Sequence, residues 1–436
     1  MITDNQLSDQ VLSNIWNSFF HFFLNGKSHS FLIAQCQSLI DASVSITTWN
    51  GSKYAKFIRM CNVNTLLELR RHWVLYVQAG RLSTKKGKEA LSRINTTRST
   101  MHKQSDVFPS RSAGPYFYLS AEPATKVFQH YWKTGITSLN PQVISAATFV
   151  NPTFLYSLSG EGFALHYATT PISPFHLAPS FLTSKEDIPT MPELVDCAKS
   201  QFFSWVKHFR AFVQGKPGLL TIRIFAGDAL FFCRALVHHV GTGKIPASLT
   251  VSPWNTAFLT LDGGDYGFSG GAPTSFNIIE TSNLTDHIGL LNVLIATLPL
   301  LSPDPSATLF TEALLPIGKD VTKSISTKFC ADVSTISLLL DLSPTHYFSN
   351  FNTRSNAEEL LAMMLNTSNF KQYHERITWK RPMTGDQIIA SRLHPVRIPI
   401  SFDPQDLGKL LFGIYLICSH PMTRFLSYRT LKINAP

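Results

Sequence analysis

The chain has 436 residues, with 38 Lys+Arg against 28 Asp+Glu, a formal net charge of +10. Charged residues make up only 15%, against about 25% in an average globular domain, while hydrophobic residues reach 44% and Phe alone numbers 32. This composition excludes a disordered chain, a collagen, a coiled coil and a disulfide scaffold, and the length fits about two or three domains.

Leu7, Val11, Ile15, Phe19, Phe22 and Phe23 recur at helical spacing and predict a helix over 7–24. A second is predicted over 29–49, with Phe31, Cys36, Leu39 and Ile40 on one side. A third starts at Thr65-Leu-Leu-Glu68, a capping-box pattern, and runs to about Gln78. Residues 1–79 therefore read as a helical amino-terminal region. Residues 80–114 hold little apolar surface and much Ser, Thr, Lys and Arg, so they read as a basic linker or loop.

The charge is concentrated. Residues 51–111 carry 13 Lys/Arg and 3 Asp/Glu, which accounts for the whole net charge. Tyr54, Phe57, Trp73 and Tyr76 interleave there with Lys53, Lys56, Arg59, Arg70 and Arg71. Cations beside aromatics suit nucleic acid, and Lys85, Lys86 and Lys88 are the candidate phosphate contacts. A solvated helix face followed by a tail is the plainer alternative.

Further along, 147–159 and 162–169 have strand-like content and 191–214 has a helical apolar face. A short buried strand over 219–226, a helix over 229–239, strands over 248–261 and 276–280 and a helix over 286–298 follow. Alternating strands and helices predict βαβ units: an α/β core over 115–320, mainly parallel, with helices on both faces. Residues 321–436 read as a mixed α/β part packing on that core. They offer a helix over 356–365, a strand over 395–402 and a helix start at Asp403-Pro404-Gln-Asp406.

The longest apolar runs, 288–301 and 407–418, fall short of the about 20 residues a membrane span needs, and residues 1–10 are not a basic leader. Cys36, Cys61, Cys197, Cys233, Cys330 and Cys418 form no CxxC or CxxxC pair. Six buried, reduced thiols, no zinc site and an intracellular setting, cytoplasmic or nuclear, are the expectation.

Four motifs invite chemistry. Ile222-Arg-Ile-Phe-Ala-Gly-Asp228 ends a strand in a carboxylate before a helix, at the sheet edge where open α/β folds bind ligands; Asp228 also suits a helix cap. Phe276-Asn-Ile-Ile-Glu280-Thr-Ser-Asn283-Leu-Thr-Asp286-His287 ends a second strand in Glu280, with Asn283 and an acid near a histidine beyond it. Capping by Ser282 or Asn283 is the alternative. Asp228 and Glu280 are expected on neighbouring strand tips. Gly267-Phe-Ser269-Gly-Gly271 matches a nucleophile elbow in letters only, because a glycine-rich loop surrounds it. His238-His239-Val-Gly241-Thr-Gly243-Lys244 lacks phosphate-loop spacing and reads as a helix closed at Gly241.

Tyr54-Ala-Lys-Phe-Ile-Arg-Met-Cys-Asn62, Leu69-Arg-Arg-His-Trp73, the run from Asn151 to His166 and the run from Phe276 to Leu315 together resemble a fungal, mainly basidiomycete, family of uncharacterised proteins. Its members pair a domain of unknown function, shared with dynein-arm assembly factors, with such a body, and many add a MYND-type zinc finger. The resemblance runs from about residue 14 to 418. The strand–acid–helix pattern itself reads as a methyltransferase-like sheet in which Asp228, Glu280 and Asn283 stand at the cofactor edge. This chain departs from the family in lacking the zinc finger and the upstream glycine-rich strand–loop, and reads as a shortened member. The leading expectation is a non-catalytic interaction or assembly protein that works with other proteins. An S-adenosylmethionine-dependent methyltransferase and a non-specific nucleic-acid-associated protein are the alternatives.

Overall fold

The computed structural model describes residues 8–79, 85–103, 110–117, 119–157, 160–161, 171–183, 188–216, 218–252, 255–268, 270–314, 326–345 and 375–382. The chain divides into two units, Met1–Ala226 with Tyr415–Pro436, and Gly227–Ile414. Helices and small sheets together make it a mixed α/β protein.

In the first unit α1 (Asp9–Phe20) is started by Ser8, whose hydroxyl accepts the Val11 N–H. Its inward face buries Leu12, Trp16 and Phe20. Trp16 packs against Phe20, Phe175 and Phe202 with ring centroids 4.3, 6.0 and 5.5 Å away. Its Nε1 donates to Thr137 Oγ1 at 3.3 Å, so both the apolar ring and the polar tip of the indole are matched. Next come β1 (Phe23–Leu24), α2 (Gly26–Ala42), α3 (Ile46–Asn50), β2 (Ile58–Met60) and α4 (Val63–Ala79). Trp49 lies between Tyr54 and Trp73, with centroids 5.7 and 5.9 Å away and planes near parallel. These aromatics, with buried Phe57, belong to the core rather than to a nucleic-acid face.

The unit continues through α5 (Lys85–Lys103), α6 (Ala121–Thr134), α7 (Pro141–Ala146), β3 (Phe149–Val150), β4 (Tyr156–Ser157), β5 (Gly160–Glu161), α8 (Ala178–Thr183), α9 (Met191–Gly215) and β6 (Ile222–Ile224). α6 stops at Gly135, φ 82°, where a Cβ would stand 2.6 Å from Phe23 Cδ2, so the turn demands glycine. Strand pairs β1–β3 and β4–β5 are antiparallel, and β2–β6 is parallel.

The second unit holds α10 (Ala229–Thr242), the antiparallel hairpin β7 (Pro246–Ser252) and β8 (Asn255–Thr260), α11 (Gly263–Tyr266), β9 (Ile278–Glu280), α12 (Leu284–Ile288), α13 (Leu290–Thr297), β10 (Thr308–Ala313), a helix Val333–Leu340, β11 (Ser343–Pro344) and β12 (Glu375–Lys380). Its main sheet has the order β11-β12-β10-β9. β9 and β10 run parallel, and β12 runs antiparallel to both β10 and β11. Leu290, Leu294, Leu309, Phe329, Ile377 and Trp379 form the core of this unit.

Several expectations are corrected. Residues 85–103 are a helix, not a loop: Ile94 is fully buried, and Arg98 donates to the carbonyls of Trp132 and Lys133 and lies over the Phe23 ring. Two well-placed apolar residues and one half-buried guanidinium hold a helix that composition hides. Thr65 does not cap α4. Asn62 Oδ1 accepts the Thr65 N–H at 2.8 Å, and Glu68 turns instead to Arg71. α10 is capped by Gly243, φ 67°, two residues beyond Gly241, which stays helical. The stretch 248–261 folds back on itself as β7–β8, and the helix expected over 286–298 breaks at Gly289, φ 85°. Among the described residues the strands form five small sheets rather than one mainly parallel sheet, and five of the seven strand pairings are antiparallel. The boundary between units falls at 226/227, inside the expected 115–320 core. Of the thiols expected to be buried, Cys330 is exposed and Cys197 and Cys233 are half-buried. The readings over 162–169, 356–365, 395–402 and 403–406, and Cys418, lie outside the described residues. Among the described residues no helix is long and apolar enough to cross a membrane.

His21 makes the first unit acid-sensitive. It is buried, and its Nε2 accepts the Thr137 N–H at 3.3 Å. Burial, with Lys199 adding to it, lowers its pKa from the ordinary value to about 3. The neutral ring thus stabilises the fold fully above about pH 6.5. That contribution is lost as pH falls from about 6.5 toward 3, by up to about tenfold in the folding equilibrium per pH unit. Urea unfolding followed between pH 7 and 4 is predicted to show a steeper acid loss for the native chain than for His21→Gln. Equal slopes would refute the assignment.

Candidate functional site at the tip of the second unit's sheet

β9 ends at Glu280 and feeds a polar turn, Thr281-Ser282-Asn283, before α12. Ser282 sits at φ 47°, a left-handed conformation unusual for a residue with a Cβ. It is held there by the Glu312 N–H, which donates to the Ser282 carbonyl at 3.1 Å. Thr281 Oγ1 donates to the Phe310 carbonyl at 3.1 Å, and Thr285 Oγ1 donates to the Glu312 carbonyl. Asp286 Oδ2 accepts the Leu314 N–H at 2.6 Å. Three side chains of the turn and α12 thereby stitch β9 to β10, adding to the main-chain bonds from Thr281 N–H to the Phe310 carbonyl and from Glu312 N–H to the Ser282 carbonyl.

Glu280 accepts from Arg376 of β12, whose guanidinium also lies 4.5 Å from the Phe310 ring centroid. Both partners are part-exposed, so the pair adds little stability, but it occupies the carboxylate. Asn283 Nδ2 lies 3.4 Å from His287 Nε2, and His287 is exposed. The acid expected beside His287 for proton transfer, Asp286, faces the Leu314 amide instead.

Asp228 is a helix cap: its Oδ1 accepts the Phe231 N–H at 2.7 Å at the start of α10. The strand before it is not a sheet neighbour of the strand that ends at Glu280. β6, which leads to Asp228, pairs with β2, whereas β9 pairs with β10. The expected neighbouring tips belong to different sheets, since β2 rather than β9 satisfies the edge of β6. Among the basic candidates, Lys88 is exposed on α5; Lys85 and Lys86 begin that helix, and their side chains lie outside the described residues. Ser269 also lies outside them, and the short helix before it is α11, not the strand that a nucleophile elbow needs.

The chain matches no family model, no curated protein and no solved structure. The local geometry therefore carries the functional argument alone. Among the described residues no three His, Cys, Asp or Glu side chains cluster as metal ligands would. A cleft of about 360 Å³ on α8 and α9 includes Glu193, Cys197 and Gln201, yet these too have structural partners. Glu193 accepts from the Thr190 N–H at 2.6 Å, and Gln201 Nε2 donates to the His176 carbonyl at 2.7 Å. Arg376 was invisible to sequence reading, because 96 residues separate it from Glu280.

If the Asp286 carboxylate serves the fold, its removal leaves the buried Leu314 without that acceptor. Asp286→Ala is predicted to lower stability by about 1.5–3 kcal/mol in urea unfolding, whereas exposed His287→Ala should stay within about 0.5 kcal/mol of the native chain. Similar small effects for both would show that Asp286 is free for another role.

Proposed function

We propose that the chain is an intracellular, non-catalytic interaction or assembly protein on a methyltransferase-type scaffold, acting with other proteins and related to the fungal family it resembles. The observation that carries this reading is the commitment of the acidic strand-tip groups: Arg376 holds Glu280, and Asp228 caps α10. Each of these carboxylates thus has a structural partner that accounts for its place at the end of a strand, as a cap or as one half of an ion pair.

One observation favours a second reading, an S-adenosylmethionine-dependent methyltransferase. The order β9-β10-β12-β11 sets a late, reversed strand between two strands of like direction. This is the arrangement of the carboxyl-terminal half of a methyltransferase-type sheet. A βαβ crossover through α13 joins β9 to β10, as that architecture requires. The scaffold thus supports the fold half of the proposal, while the tip residues support the non-catalytic half.

Calorimetric titration of the purified chain with S-adenosylmethionine separates the two. No saturable heat is predicted. A dissociation constant in the low micromolar range would overturn the non-catalytic reading and promote the enzyme.

A further inference from the structure

The first unit carries a feature that neither reading uses. α5 contains Lys85, Lys86, Lys88, Arg93, Arg98 and Lys103 against Glu89 alone. Its large apolar residues point into the protein: Ile94 is fully buried with Val150 and Leu155, and Leu91 packs on the same cluster. Arg98 also faces inward, where burial lowers its pKa and the carbonyls of Trp132 and Lys133 accept its protons. What remains outside is an open trough of about 670 Å³. Lys88, Ser92, Asn95, Ser99, Thr100 and Lys103 line it, with part of the half-buried Leu91 side chain, and no described lining residue is acidic. Arg98 Nη1 donates to Asn95 Oδ1 at 3.0 Å, which leaves the Asn95 N–H₂ as the donor end of that amide.

We infer that this trough binds the phosphate backbone of duplex nucleic acid without regard to sequence. Lys88 and Lys103 stand fifteen residues apart on α5, about 22 Å at 1.5 Å per residue. That spans about six phosphates of one strand at 3.4 Å each. Lysines at both ends and polar side chains between them are the groups that contact phosphate and sugar. No aromatic side chain is among the lining residues, so there is no platform on which single-stranded bases would stack. The outward face has no Trp, Phe or exposed Leu either, which a helix lying on a membrane surface needs. Charge complementarity with spaced phosphates is therefore the match. The inference rests on α5 alone and stands whether or not the second unit takes a cofactor.

The test is fluorescence anisotropy of the full chain with several unrelated duplexes of one length, from about 50 to 200 mM salt, the range over which phosphate contacts lose most affinity. The native chain should bind all of them within about twofold of one another, since phosphate contacts carry no sequence information. Replacing both exposed lysines in Lys88→Gln/Lys103→Gln should weaken binding to every duplex and flatten the log–log salt slope by about 2. Lys126→Gln, a lysine paired with Glu122 on α6, should change neither. Circular dichroism melting checks that the double variant stays folded. Absence of binding at low salt would overturn the inference. So would binding that the double variant leaves intact, strong sequence preference, or equal competition by anionic lipid vesicles.

Discussion

Every backbone N–H and C=O taken out of water needs a partner, and this chain meets that constraint with unusually short strands. Among the described strands most are two or three residues long, and the longest has seven. Such strands end before their ladders satisfy the surrounding backbone, so side chains complete the task. At the end of α1, Asn151 Nδ2 donates to the carbonyls of Ser18 and His21, and the Tyr131 hydroxyl donates to that of Phe20. These bonds link residues more than 100 positions apart. They fix where α1 stops and where α6 and β3 must lie. In the same unit Thr65 Oγ1 accepts the Ala226 N–H at 3.0 Å while donating to Asn62, tying α4 to the end of β6.

The same constraint decides the chemistry. Thr, Asn, Ser and Asp are the residues that satisfy backbone groups, and they are also the residues that suggest an active site. In the second unit Thr281, Thr285 and Asp286 serve the carbonyls and amide at the end of β10, and Asp228 serves the first turn of α10. A polar turn after a strand therefore has two explanations with one composition. Only the partners of each side chain distinguish them. For Thr281, Thr285, Asp286 and Asp228 the partners are backbone atoms, whereas Glu280 is met by the Arg376 side chain.

Much of the element content could be read from the residues. α1, α9, α10 and β9 follow the apolar spacing, Asp228 has the pattern of a cap, and the helix expected over 29–49 is divided after Ala42 into α2 and α3. What could not be read has definite causes. α5 relies on Ile94 and Leu91 packing on Val150 and Leu155, contacts between segments that no local pattern connects. Gly241 and Gly243 both suit a left-handed helix end, and α10 runs past Gly241 to use the second, two residues on. The Glu280–Arg376 pair joins strands brought together only by β12 entering the sheet late and reversed. Strand adjacency is a property of the whole sheet, so the expected meeting of Asp228 and Glu280 had no local basis.

The central claim is that the polar groups beyond β9 belong to the fold. Amide hydrogen exchange, resolved at Leu314 and over 280–287 and recorded with and without S-adenosylmethionine, tests it most directly. Because Asp286 accepts the Leu314 N–H, that amide should exchange slowly, and neither it nor the turn should change when S-adenosylmethionine is added. Fast exchange at Leu314, or new saturable protection over 280–287, would contradict the account.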